Sequence, residues 1–346
     1  MIRLAWGSAI GPDAVPALQG RSWLRPEIYA ETLQMVEKAG IEFAILSESS
    51  RLAFNPMILV GALSTYTSTL GLVPELRTTD YPPFKLARLI GTLTHVTGGR
   101  IGWAMDTGVT DPGQYNYDMD QAPDPALRHP IADEYVEVCD KLWHSWAPDA
   151  LLENAETGIF ADPAKVQPIR HAGTYFRVRG PLNILTAPYG APLLVQYVGD
   201  AAEYAFAGRH ADVAILSSSD PAALPAARSA IEAAAIGNGR LATDVLVYIS
   251  VSFQLGETDA ARDGWRVPAR PGVVIRTTID DAVGQLQQIF HDSGCAGVVI
   301  QSDWSTHQTN IVCNQLVARL RREARLAPRR VQIGLRQRVL DQRVAT

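Results

Sequence analysis

The chain has 346 residues, 47% of them hydrophobic and 19% charged, with a formal net charge of −5. This balance supplies one sizeable core and excludes a disordered or fibrous chain, and an acidic protein lacks the positive stripe by which nucleic acid is held. Cys139, Cys295 and Cys313 are far apart and form no CxxC pair, while His171, His210, His291 and His307 are scattered, so neither a disulfide framework nor a metal centre is expected.

The opening segment MIRLAWGSAI is too short an apolar run for a signal sequence, which with the reduced cysteines points to a cytoplasmic chain. IRLAWG reads as a first strand, followed by a loop and a helix from Pro26 to Ala39, with proline in the first turn and Gly40 ending it. FAILSES is the second strand, and a helix begins near Pro56. TLGLVPEL, the helical YPPFKLARLIGTLTHVT and RIGWAMDT give strand, helix and strand, the last two separated by Gly98 and Gly99. A long helix from His129 to Trp146 carries Ile131, Tyr135, Val138, Leu142 and Trp146 at helical spacing. Residues 150–190, rich in proline and short extended pieces, break the rhythm and read as an insertion containing a hairpin.

Regular order then resumes. LLVQYV is strand five, AAEYAFAGRH a helix, DVAILSS strand six, Pro221 to Ala235 a helix and DVLVYISVSF strand seven. GETDAARDG gives a short helix that yields to WRVPARPG; Thr278 to His291 is a helix, GVVIQ strand eight, and Asn310 to Arg325 a basic closing helix. Strands alternating with helices predict an α/β fold, a (β/α)8 TIM barrel over residues 1–328 with an insertion between the helix after strand four and strand five. The Arg-rich stretch 329–346 reads as a C-terminal arm or partner contact.

Barrel chemistry sits at the C-terminal ends of the strands. That rule selects Trp6, Ser47 to Ser50, Pro74 to Thr79, Asp106, Thr107, Tyr197 to Asp200, Ser217 to Ser219, Phe253 and Gln301 to Trp304. Strand-end Ser and Asp residues also serve as helix caps. Trp6, Tyr81, Tyr197 and Trp304 gathered at one mouth suit a planar or apolar substrate, and serve equally as core lids. Val73-Pro74 is a candidate cis bond against a trans default. Glu48, Asp106 and His129 are the candidate acid–base groups; His129 reads equally as a helix-start or phosphate contact.

The strings YPPFKLARLIGTLTHVTGGRIGW, ADEYVEVCDKLWHSW, DPAKVQPIRHAGTYFRVRGPLN and GAPLLVQYVGDAAEYAFAGRHADVAIL resemble the bacterial-luciferase-like flavin monooxygenases. The branch they resemble contains nitrilotriacetate monooxygenase, dibenzothiophene sulfone monooxygenase and pristinamycin IIA synthase. The resemblance implies a barrel that takes reduced FMN from a separate flavin reductase and inserts one oxygen atom of O2 into a small organic substrate, commonly as a homodimer or homotetramer. The absence of a GxGxxG fingerprint agrees with a partner handling the nicotinamide. Carried onto this chain, it places Glu48, Pro74, Arg77, Thr78, Trp103, Thr107, Arg128, His129, Gly199 and Asp200 around the flavin.

The motifs are not all kept. Ser47-Glu48 stands for the family's Ala-Asp; Ala104 and Asp106 break its Gly-Trp-Asn-x-x-Thr-Ser pattern. Pro125 to His129 keeps Arg128 but replaces the family's histidine and tyrosine. Where the family holds the flavin phosphate on Gln-Ala-Gly-x-Ser-x-x-Gly, this chain reads Gln196-Tyr197-Val198-Gly199-Asp200-Ala201-Ala202-Glu203. A carboxylate ~4 Å from a phosphate charge costs about 4 kcal/mol at an effective dielectric of 20. Three readings follow: an FMN monooxygenase with a rewired phosphate site, in which Arg77, Thr107, Arg128 and His129 hold the phosphate and Trp103 and Val73-Pro74 bracket the ring; a scaffold that uses no cofactor and runs acid–base chemistry with Glu48, Asp106, His129 and Asp200; or a non-catalytic binding protein.

Overall fold

The computed structural model describes residues 1–11, 23–48, 53–108, 124–266, 270–323, 326–327 and 334–341. In chain order the elements are β1 (Arg3–Ile10), α1 (Pro26–Lys38), β2 (Phe43–Glu48), α2 (Pro56–Leu63), β3 (Gly71–Arg77), α3 (Pro83–Val96), β4 (Gly102–Asp106) and α4 (Arg128–Trp143). Two hairpins follow, β5 (Leu151–Asn154) with β6 (Ile159–Ala161) and β7 (His171–Ala172) with β8 (Arg177–Val178). Then come β9 (Leu193–Val198), α5 (Ala201–His210), β10 (Val213–Leu216), α6 (Leu224–Gly237), β11 (Leu246–Leu255), α7 (Asp259–Asp263), β12 (Val273–Thr277), α8 (Ile279–Ser293) and β13 (Gly297–Gln301). The chain continues through α9 (Thr306–Ile311), a π-helical turn (Val312–Val317), α10 (Ala318–Arg322) and α11 (Leu335–Leu340).

Eight parallel strands run in the order β10, β9, β4, β3, β2, β1, β13, β11, and pairing of β10 with β11 closes the barrel. Strand alternation sorts the core into two layers. Ala5, Phe43, Ile45, Val73, Ala104, Val195, Ile215 and Val299 fill the barrel interior. Their neighbours Trp6, Leu46, Leu72, Trp103 and Leu194 pack between sheet and helices. Each such large apolar side chain contributes roughly 1.5–3 kcal/mol by leaving water.

Three features of the barrel differ from the sequence-based expectation. VVIRT, which the sequence reading assigned to no element, is the ninth strand β12: β10 pairs with the first half of β11 and β12 with the second, Val251 to Leu255. The insertion holds two hairpins rather than one. The closing helix is broken by the π turn. Val73-Pro74 takes the default trans form, and among the described residues the cis bond is Gly180-Pro181.

The Arg-rich tail, expected as an arm without a core face, seats its described part on the barrel base. Leu335 and Val339 join the interior cluster, and Gly71 is required because a Cβ there would lie 2.5 Å from a Leu335 methyl. Arg338 donates to the Thr69 and Glu42 carbonyls, both at 2.9 Å, and Arg336 makes a two-pronged pair with buried Asp212 at 2.8 and 2.9 Å. The double glycine explains itself here: Gly98 and Gly99 have φ of 63° and 80°, and the Gly99 carbonyl accepts from the Leu335 amide at 2.8 Å. No helix among the described residues is long and apolar enough to cross a membrane.

Candidate active site

At the mouth, the ends of β3, β4, β9 and β10 and the start of β12 enclose a cavity of about 240 Å³, lined by Glu75, Asp106, Gln196, Tyr197, Glu203 and Arg270 among others. The cavity exists because β10 stops at Leu216, beside Ile249, whereas β12 begins beside Val251. Arg270, three residues before β12, enters at that step. Its guanidinium lies 2.6 Å from the Glu75 carboxylate across the barrel and 3.8 Å from the centroid of the Tyr197 ring. Gln301 donates to the Tyr197 hydroxyl at 3.0 Å.

These groups tune one another. Burial pushes the Tyr197 phenol up to about 12, against the opposing pull of Arg270. Burial also works against the Arg270 charge, but Glu75, Tyr197 and Asp106 outweigh it and hold the guanidinium above the usual arginine range. The mouth is therefore a fixed cation stacked on a neutral phenol, an arrangement suited to gripping a planar organic molecule. Of the lining residues, Ser217, with the inward parity of Ile215, has a buried Oγ atom without a hydrogen-bond partner among the described residues, and so has the Oε1 atom of Gln196, whose side chain has the helix-side parity of Leu194.

One rim of the cavity is the start of α5. Asp200 is its N-cap, accepting from the Glu203 amide at 2.9 Å, and the Glu203 carboxylate turns back to accept from the Gly199 amide at 2.7 Å. Arg128 lies between the two acids, 3.8 Å from Asp200 and 3.7 Å from Glu203. It also donates to His129 Nε2 from two nitrogens at 3.2 and 2.9 Å. Because arginine only donates, Nε2 accepts and the neutral ring carries its proton on Nδ1, which is buried without a partner. Burial first, and Arg128 second, lower the His129 pKa below its ordinary value despite Glu203, Asp200 and Asp133.

The sequence-selected residues fall into three groups. Asp106, Thr107, Tyr197 and Gly199 line the cavity; Arg77 borders it, paired with Asp106 at 3.3 Å, and Thr78 is buried with its amide on the Asp106 carbonyl. Arg128, His129 and Asp200 form the rim cluster just described. Glu48 is exposed at the end of β2, Pro74 is buried on the helix side of β3, and Tyr81 takes a 2.6 Å hydrogen bond from Asn55, the N-cap of α2. Ser49 and Ser50 lie outside the described residues.

The three tryptophans are corrected. Trp6, Trp103 and Trp304 are fully buried away from the cavity. Trp6 donates to Ser8 at 2.9 Å, Trp103 donates to the Leu76 carbonyl at 3.1 Å and packs against Tyr135 and Trp143, and Trp304 stands edge-on to Tyr29 with centroids 4.7 Å apart. Ala5 of β1 and Ala104 of β4 face the barrel interior, so their neighbours Trp6 and Trp103 have the parity of the helix side. Parity was readable in the sequence; it also marks Glu75, two residues after inward Val73, as a mouth residue. Arg270 was not readable without recognising β12.

A family model described as luciferase-like monooxygenase matches residues 17–287. Dibenzothiophene-sulfone monooxygenase of Rhodococcus erythropolis is 33% identical over 215 residues, 62% of this chain and 48% of that protein. Nitrilotriacetate monooxygenase component A of Aminobacter aminovorans is 28% identical over 256 residues, 68% of this chain and 56% of that protein. The chain spans about half the length of these curated relatives. Among solved structures, a long-chain alkane monooxygenase superposes with a TM-score of 0.89 at 20% identity over 99% of this chain and 96% of the other. A riboflavin lyase solved with modified FMN and riboflavin gives 0.87 at 20% identity over the same shares. The closed barrel and the match over most of its length lead to one conclusion: the chain belongs to the luciferase-like monooxygenase family.

Proposed function

We propose that this chain is the oxygenating component of a two-component monooxygenase, acting at the barrel mouth on a small apolar or planar organic substrate with a reduced flavin supplied by a separate reductase. The observation that carries the proposal is the lined cavity at the strand C-termini of a barrel from this family, with the stacked Arg270–Tyr197 pair and the unpartnered Ser217 hydroxyl among its lining residues. The family implies FMN. Its phosphate does not fit the start of α5, where the Gly199 and Glu203 amides are taken by the Glu203 and Asp200 carboxylates and the nearby cation, Arg128, already faces both acids. Intact FMN is therefore a poor match, and a flavin bound here would be held through its ring and neutral side-chain groups.

The chain's own residues do the following. Ser217 offers its unpartnered hydroxyl to the occupant, Tyr197 and Arg270 present a flat face, and Gln301 and Glu75 fix those two in place. His129, neutral with its free nitrogen buried, orients Arg128 and holds no exchangeable proton toward the cavity. A second reading, a homologue that binds an organic ligand without flavin, draws on the same closed α5 start. Isotope labelling separates the two. With a flavin reductase, a nicotinamide donor and labelled dioxygen, sulfones, thioethers and alkanes are screened as substrates. A product carrying one labelled oxygen atom is expected; turnover that takes its oxygen from water would overturn the proposal.

A further inference from the structure

We infer that Glu203 acts as a built-in anion at the start of α5, so that the mouth selects a ligand that carries no phosphate at that end, a phosphate-free flavin in the reading above, on which the ligand class rests. A helix N-terminus attracts anions because its first amides point outward unpaired. Here the anion is internal: the Glu203 carboxylate sits 2.7 Å from the Gly199 amide, and Asp200 takes the Glu203 amide at 2.9 Å. Reciprocal capping of this kind also stabilises a helix end. Position is what adds a second role, because Gly199 and Glu203 both line the cavity, together with Gln196 and Ser217.

Charge and hydrogen-bond valence there agree. Two carboxylates face one guanidinium, with Arg77 already on Asp106, so a phosphate entering the rim would meet excess negative charge. The Gly199 and Glu203 amides, donors that an incoming phosphate would use, are already taken by carboxylates of the chain.

The test compares the wild-type chain, Glu203→Ala and the double variant Asp200→Ser with Glu203→Ala, serine being retained as an N-cap. Riboflavin and FMN are titrated by calorimetry, and inorganic phosphate is assayed for protection against thermal unfolding. Wild type is expected to bind riboflavin at least as tightly as FMN, and the double variant to gain about tenfold or more for FMN with riboflavin nearly unchanged. Phosphate is expected to protect the double variant and not the wild type. Wild-type preference for FMN by about tenfold, or a double variant that loses thermal stability yet gains neither FMN nor phosphate binding, would overturn the inference. If neither flavin binds any of the three proteins, the flavin reading fails, and the phosphate arm alone decides the role of Glu203.

Discussion

Arg270 is the residue on which the mouth turns. The Glu75 side chain is 10% exposed, so removing its partner strands a carboxylate in a poor solvent. Arg270→Ala is expected to lower stability by about 1–3 kcal/mol in urea unfolding. Arg270→Lys restores the charge but not the planar stack on Tyr197, and is expected to recover part of that loss. Equal stability of all three proteins would show that the pair is not formed in solution. Tyr197→Phe removes the hydroxyl that accepts from Gln301, an expected cost of about 0.5–1.5 kcal/mol by the same measurement. At this scale the sequence was partly legible. Asp106, Thr107, Tyr197 and Gly199 were found by the strand-end rule and do line the cavity. Of the two readings of Trp6 and Trp304, mouth aromatic or core lid, the core one holds, and Trp103, placed beside the flavin by the resemblance, shares with Trp6 the strand parity that points toward the helices.

At the scale of elements, the loops that hold strands in register depend on single polar side chains. Glu37, near the end of α1, accepts from the amides of Ser68, Thr69 and Leu70 and from the Thr69 hydroxyl, pinning the entry to β3. Burial raises its pKa, but the hydrogen bonds from Thr69, Leu70 and Ser68 outweigh that and leave it below the ordinary carboxylate value. A lowered folded-state pKa means that this contribution is present above the unfolded value and is lost as pH falls through the folded one. Glu37→Gln is expected to cost about 1–2 kcal/mol at neutral pH and to flatten the acid limb of the stability profile. An unchanged acid limb in urea unfolding at stepped pH would assign that limb to other carboxylates. Most element boundaries were legible because apolar periodicity and proline or glycine stops coincide; LLVQYV, AAEYAFAGRH and GVVIQ match their elements residue for residue. β12 was not, since its exposed Val274 and Arg276 interrupt the pattern of a buried strand and its pairing with the second half of β11 is a tertiary fact.

For the whole molecule, the barrel is closed at one end and open at the other. α11 fills the base with Leu335 and Val339, and Arg336 neutralises Asp212, which is 1% exposed. Leu335→Ala is expected to cost about 2–5 kcal/mol through the void it leaves among Phe43, Val73 and Tyr248. Thermal unfolding checks this, and a loss below about 1 kcal/mol would mean the base repacks without it. The TIM-barrel class was legible from the strand and helix alternation; the plugging of its base was not, because a six-residue helix with one apolar face is too short to stand out from an Arg-rich tail. A sealed base leaves the mouth as the place where the barrel interior meets a ligand. The central claim, that this mouth is a flavin-type oxygenase site, is tested most directly by anaerobic titration of the wild-type chain with reduced riboflavin and reduced FMN. Saturable one-to-one binding of at least the riboflavin form is the expected result; saturation by neither would contradict it.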